Sequence, residues 1–222
     1  MLPSYQECQK RINWFTAKYP NSRFYTFWDY KTKVESGEFN SILDPQHLMQ
    51  TANRLEDFLI KFFRMERTGV ARGPKMVRIL ENIAPYYEKI RYIQLGQNKV
   101  ASLTADLAHI YDGLNGITNR VTYHNGENSS ITGKSKALLS IWGQTPGFDS
   151  TVRLKLCSAP LPDRLSYLKK NKIYYSSDEF CVMIKELDKW VYEWPKTNKG
   201  KAFSSLDTKL PIGRLIDMIY VH

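Results

Sequence analysis

The chain has 222 residues, 42% hydrophobic and 13% aromatic, a globular composition long enough for a full core and well away from disorder. Its apolar runs are short and broken by charge, which argues against a membrane span, and the opening MLPSYQECQKRINWF lacks the basic-then-apolar order of a signal peptide. The net charge of +10 leans toward a polyanionic partner, while Cys8, Cys157 and Cys181 are too far apart for a zinc knuckle or disulfide framework and read as reduced thiols of an intracellular protein, cytoplasmic or nucleoid-associated.

The chain reads as predominantly helical. Pro3 to about Tyr19 carries Tyr5, Cys8, Ile12 and Phe15 at helical spacing, and Pro20 closes it. An aromatic cluster follows in Phe24, Tyr25, Phe27, Trp28 and Tyr30. It suits core packing better than base stacking, and a strand is an option there. Asp44-Pro45 is a cap followed by proline at the first helical position, opening a helix expected to run to about Arg67. ERTGVARGP, from Glu66 to Pro74, is a break that matches no phosphate loop. The next helix runs from Pro74 toward Pro85, where proline is expected to kink or end it.

Ser102 to about Asn115 is again helical, and TYHNGENSS, Thr122 to Ser130, is the most loop-like stretch of the chain. A helix with two lysines comes next, then a short element from Asp149 or Ser150 to Cys157, and the break APLPDR. A second strand option lies at Lys172 to Tyr175. Glu179 to Trp194 is a strong helix, WPKTNKGKAFSS is a basic loop, and Pro211 to Tyr220 is a terminal helix. The fold class is therefore mostly α, an irregular multi-helix arrangement forming a single domain over 1–222. The loop at 122–130 is the candidate boundary between lobes of about 1–120 and 121–222 around a cleft.

Basic charge concentrates in the C-terminal half. Ser129 to Lys172 holds eight basic residues against Asp149 and Asp163, and Pro195 to Arg214 adds five against Asp207 alone. Lys134, Arg153, Lys155, Lys169, Lys170 and Lys172 are the candidate nucleic-acid contacts, since phosphate neutralisation is what such a surface supplies. Tyr174, Tyr175 and Trp194 are the candidate exposed rings among these lysines, whereas Trp190 falls in register with Met183 and Leu187 and reads as core.

Ser129 to Arg153, SSITGKSKALLSIWGQTPGFDSTVR, is the most informative segment. Lysine at a helix N-terminus faces the positive end of the helix dipole and calls for a compensating phosphate or carboxylate. Gly133 is expected just before the helix, with Thr132 or Ser135 as cap. Lys134 and Lys136 are two apart and share no face. Lys136, beside the apolar Ala137-Leu138-Leu139 run, is expected nearer the core boundary, where desolvation or the charge of Lys134 would raise its neutral fraction. A neutral amine can attack C1′ of a damaged nucleoside and form a Schiff base. The GQTPG turn returns Asp149 after one helix as the carboxylate that orients it or stabilises an oxocarbenium-like centre.

The order glycine, lysine, apolar helix, Pro-containing turn, then aspartate with a following Ser/Thr and branched apolar residue resembles the signature half of the helix–hairpin–helix DNA glycosylases. The likeness is to their short, divergent, 8-oxoguanine-glycosylase-like relatives. It covers about 25 residues, with an echo in RLIDMIY from Arg214. It implies Lys136 as the Schiff-base lysine, Asp149 as the essential aspartate, and a helical, often two-lobed fold that takes DNA and a flipped base between its lobes. Where the family has an apolar residue followed by Pro-Gly-Val-Gly, this chain reads NSSITGK, and the spacing from Lys136 to Asp149 is shorter. No cysteine cluster follows, so neither a metal nor another cofactor is expected.

Other chemistries have less support. Asp178 with Glu179, and Asp207 with Lys209, are too scattered for a metal-dependent nuclease. His47, His109, His124 and His222 share no ligand spacing, and no serine elbow, Walker loop or dinucleotide loop is present. The leading expectation is a helical protein that binds nucleic acid, DNA before RNA, through its basic C-terminal half. One alternative is a base-excision glycosylase and abasic-site lyase using Lys136 and Asp149. The other is a non-catalytic module that meets an acidic protein.

Overall fold

The computed structural model describes residues 2–19, 22–37, 39–65, 69–118, 129–157, 165, 167–169 and 171–221. Among the described residues nine α-helices run in chain order: α1 (Tyr5–Lys18), α2 (Ser22–Glu35), α3 (Leu48–Lys61), α4 (Pro74–Ile90), α5 (Thr104–Gly113), α6 (Ile131–Ile141), α7 (Ser150–Cys157), α8 (Ser177–Thr197) and α9 (Ile212–Val221). Short 3-10 turns occupy Val100–Leu103 and Phe203–Leu206. The fold is mostly helical, as expected. Among the described residues the β-structure is an isolated antiparallel bridge between Val70 and Thr118. No helix among them is long and apolar enough to cross a membrane.

The two strand options are corrected. Phe24 to Tyr30 lies inside α2, whose buried positions Phe24, Phe27, Lys31 and Val34 repeat at helical, not alternating, spacing. Phe27 stacks on Phe58 of α3 at 4.9 Å and Phe24 meets Phe58 and Phe62 at 5.8 Å, so the aromatic cluster is the α2–α3 interface. Lys172 to Tyr175 is irregular chain, with the Ile173 carbonyl accepting the amide of Ile131 at 2.9 Å.

Two boundaries also differ. Asp44 does not cap α3. Its carboxylate accepts the Gln46 amide at 2.9 Å, closing a turn that delays the helix to Leu48. Pro85 does not end α4, because Tyr87 and Ile90 continue the buried stripe of Met76, Ile79, Leu80 and Ile83 and their burial outweighs the bond lost at proline. The Tyr87 hydroxyl lies 2.8 Å from both the Ile141 carbonyl and the Glu35 carboxylate, tying α4 to α6 and α2.

The buried apolar side chains form one cluster drawn from all nine helices. The expected lobe boundary near residue 121 and the APLPDR break lie outside the described residues. At the centre is α9, where every residue from Pro211 to Tyr220 is buried, the signature of a helix surrounded by protein. Its N-terminal turn presses on the segment after α6. Gly213 donates its amide to the Gly143 carbonyl at 2.9 Å, and a Cβ on Gly213 would stand 2.4 Å from the Thr145 carbonyl oxygen. Only glycine allows that approach.

Candidate active site

The helix that carries the two lysines starts earlier than the sequence suggests. Ser130 is the N-cap, accepting the Gly133 amide at 3.3 Å, and Ile131 is the first helical residue. Thr132, Gly133 and Ser135 are therefore inside α6. Gly133 is required there because a Cβ would lie 2.8 Å from the Thr118 side chain.

The hydroxyls of Thr132 and Ser135 position the chain that leaves α6. Gly143, with φ +80°, terminates the helix by returning its amide to the Leu138 carbonyl at 3.1 Å. The next residues fold back along the helix. Thr145 donates to the Ser135 carbonyl at 3.2 Å, the Phe148 amide donates to the Ser135 hydroxyl at 2.9 Å, and Thr132 donates to the Phe148 carbonyl at 2.9 Å. Phe148, fully buried, anchors this strap. The next residue, Asp149, is thereby delivered beside the first turns of α6.

Asp149 does two things with its two oxygens. Oδ1 accepts the amides of Thr151 and Val152, each at 3.0 Å, and so caps α7. Oδ2 faces the Lys136 ammonium at 4.0 Å. Lys136 lies against the face of Phe63 at 4.9 Å, and the side chains of Lys136 and Asp149 retain 12% and 31% of their exposure. The pair is thus sheltered yet open to a small group from outside.

Of the two amines Lys134 is the more deeply buried, contrary to the expectation that Lys136 lies nearer the core. Lys134 points the other way around α6, as two-residue spacing requires, and is 1% exposed over the ring of Tyr111 at 4.1 Å. Burial pushes its amine down to about 8, with Asp112 acting weakly in the opposite direction. Apolar neighbours in the sequence did not reveal this, because both lysines have them.

A second buried pair completes the site, and sequence reasoning missed its role. Arg214 and Asp217, one turn apart on α9, form an ion pair with side chains 4% and 6% exposed. The Arg214 guanidinium lies over Phe15, Phe24 and Phe62 at 5.0–5.4 Å, which replaces some of its lost hydration. The Asp217 carboxyl is raised to about 6 by desolvation. Arg214 and Lys136 lower it and Asp149 raises it further, so all four charges share one field. Asp217 Oδ1 is buried without a hydrogen-bond partner. The available signal was RLID, two opposite charges one turn apart inside an otherwise apolar helix.

The expected phosphate contacts separate into different environments. Lys155 and Lys169 are exposed. Lys134 is inside the protein. Arg153 is 5% exposed and donates to the Lys172 carbonyl at 2.5 Å, so it ties chain segments together instead of facing outward. Lys172 pairs with Glu179 at 2.5 Å and covers Tyr175 at 4.8 Å. Lys170 lies outside the described residues. Tyr175 and Trp194 are also buried, Trp194 completely, leaving Tyr174 half-buried. Amphipathic rings with a polar tip pack inward when that tip is satisfied, here by Lys169 backbone groups for Tyr175 and by the Pro3 carbonyl for Trp194.

Among the described residues no three His, Cys, Asp or Glu side chains are grouped so as to hold a metal ion. His109 is an exposed residue stacked on Tyr86 at 4.4 Å. No family model, curated protein or solved structure matches the chain.

Proposed function

We propose that this protein is a DNA-directed base-excision enzyme in which Lys136 is the Schiff-base nucleophile and Asp149 the electrostatic partner. The observation that carries this reading is the 4.0 Å approach of Lys136 Nζ to Asp149 Oδ2, with that oxygen left free by the cap and the pair partly open to solvent. An amine beside a carboxylate is the minimum arrangement for attack at a sugar C1′ that develops positive charge. On a ring-opened abasic site the Lys136 amine adds to the C1′ aldehyde, water leaves, and an imine links protein to DNA. Asp149 offsets the cationic character of that carbon. Exposed Lys155 and Lys169 supply charge for the phosphate backbone.

Borohydride trapping on duplex DNA carrying an abasic site or 8-oxoguanine tests the proposal. Hydride reduces the imine to a stable secondary amine, so wild-type protein should give a covalent adduct and Lys136→Ala none. Absence of an adduct from folded wild-type protein on both substrates rejects the Schiff-base step. Salt-sensitive DNA binding without an adduct would instead favour the nucleic-acid-binding reading.

A further inference from the structure

Two adjoining cavities open between α2 and α3. One, of about 540 Å³, is floored by Phe27, Phe58 and Phe62 and edged by Asn53, Asp57 and Lys61. The other, of about 490 Å³, is bounded by Asp29, Tyr30, Lys33, Phe39 and His47. Thr26, Gln50 and Arg54 line both, so the two form one groove. The polar residues at 50, 53, 54 and 57 share one face of α3 and stand above an apolar floor. In that floor Phe27, Phe58 and Phe62 follow one another at 4.9 Å, with interplanar angles of 22° and 7°. Gln50, Asn53 and Arg54 are exposed, and among the described residues no hydrogen bond or ion pair engages their side chains. Arg54 is nonetheless held in place. Its guanidinium lies over the Tyr30 ring at 4.4 Å, and the Tyr30 hydroxyl is 3.0 Å from that of Thr51. Stacking occupies the face of a guanidinium and leaves its N–H edge to bind an anion. Asp57 and Lys61 pair at 2.6 Å, so their charges cancel, and Lys33 with Arg54 outweighs Asp29. The groove is therefore cationic.

From this arrangement we propose that the α2–α3 groove is a nucleotide-binding site, with the phosphate on Arg54 and Lys33 and the base over the Phe58–Phe62 floor. Four residues of helix separate Arg54 from Phe58, about 6 Å along the axis, a spacing that suits the separation of phosphate and base within one nucleotide. The amides of Gln50 and Asn53 each offer a donor beside an acceptor, the pattern that pairs with the N6 and N7 edge of adenine. An apolar ligand would leave the Arg54 fork and both amides unused, and a bare anion would leave the phenyl floor empty. At the end of the groove Phe62 meets Phe63 at 4.8 Å, and Phe63 carries the Lys136 ammonium at 4.9 Å. A strand engaged at Lys136 can place a neighbouring nucleotide here, and a free mononucleotide offers the same chemistry. The assignment uses neither Lys136 nor Asp149 and stands without the Schiff-base reading.

Equilibrium dialysis of the whole protein against deoxyadenosine 5′-monophosphate, deoxyadenosine and inorganic phosphate tests the groove directly. The mononucleotide should bind about tenfold tighter than either fragment, or more, because it alone engages both ends of the site. Arg54→Ala should weaken its binding about tenfold and leave deoxyadenosine unchanged, whereas Asn53→Ala should weaken both. Both side chains are exposed, so neither change touches the core. A short oligodeoxyadenylate run in parallel distinguishes the source. Tighter binding of the oligomer, with the same loss in Arg54→Ala, assigns the groove to a strand, and equal or weaker binding assigns it to free nucleotide. No saturable binding of either at millimolar ligand, or binding that survives both substitutions, overturns the proposal. So does inorganic phosphate bound as tightly as the nucleotide, the mark of an adventitious ion only. Failure of borohydride trapping would leave a positive result in place and reject the lysine chemistry alone.

Discussion

The hydroxyl of Ser135 accepts the amide of Phe148 at 2.9 Å, thirteen residues along the chain, and this bond sets where Asp149 comes to rest. Thr145 and Phe148 are held by the same short stretch of α6, through the Ser135 carbonyl and the Thr132 hydroxyl. Removing the Ser135 hydroxyl leaves a buried amide without an acceptor, a loss of about 1–3 kcal/mol. Ser135→Ala should destabilise the protein by that amount in urea unfolding and weaken trapping, while Ser135→Thr should restore part of both.

The two oxygens of Asp149 predict separable effects. Asparagine keeps a capping oxygen for Thr151 and Val152, whereas alanine does not, so Asp149→Ala should be about 1 kcal/mol less stable than Asp149→Asn in chemical denaturation. Both should lose the covalent adduct, because both remove the negative charge facing Lys136. A variant of intact stability that lacks the adduct assigns Oδ2 to chemistry and Oδ1 to the fold.

Lys134 gives a pH signature. Its amine is held at about 8 in the folded protein against 10.5 ordinarily, so between those values the unfolded chain binds more protons than the folded one. Stability then rises with pH across that window, and below about 8 the penalty for burying the ammonium is fully present at roughly 3 kcal/mol. Lys134→Met should therefore be more stable than wild type at pH 7, by up to about 3 kcal/mol, with the gain fading as pH approaches 10.5. Paired denaturation curves of the two proteins isolate this contribution from the tyrosines and cysteines that titrate in the same range.

Exposed and buried cations should behave oppositely on DNA. Lys155→Ala and Lys169→Ala should each flatten the salt dependence of binding by about one unit of slope, with little change in melting temperature. Arg153→Ala should leave the slope unchanged and lower the melting temperature, because its guanidinium is inside and bonded to the Lys172 carbonyl. Fluorescence anisotropy across a salt series distinguishes the two.

Several elements of the site were legible in the residue order. The lysine helix, the Gly-Pro turn after it and a capping aspartate are local patterns, and the structure has all three. The return of Asp149 to Lys136 followed from one helix and one tight turn. The partner charges on α9 were not legible, because about 70 residues separate Asp149 from Asp217 and no local rule links them. The same holds for the aromatic run at Phe24 to Tyr30, where adjacent rings suited a strand as well as a helix until α3 supplied Phe58 and Phe62 at helical intervals.

What the residue order determined by itself was therefore helical content, most helix positions and the pairing of the lysine helix with the aspartate that follows it. Hydrophobic period, caps and turn residues act within a few positions of one another, so they can be read along the chain. Only the tertiary structure decided which of two lysines lies in the protein interior, which of the five described candidate cations face outward, and that Arg214 and Asp217 join Lys136 and Asp149. Those outcomes depend on dielectric surroundings and charge summed over distant elements. Lys134 and Lys136 have the same chemistry and nearly the same neighbours in sequence, yet Tyr111 buries one and the Asp149 carboxylate meets the other.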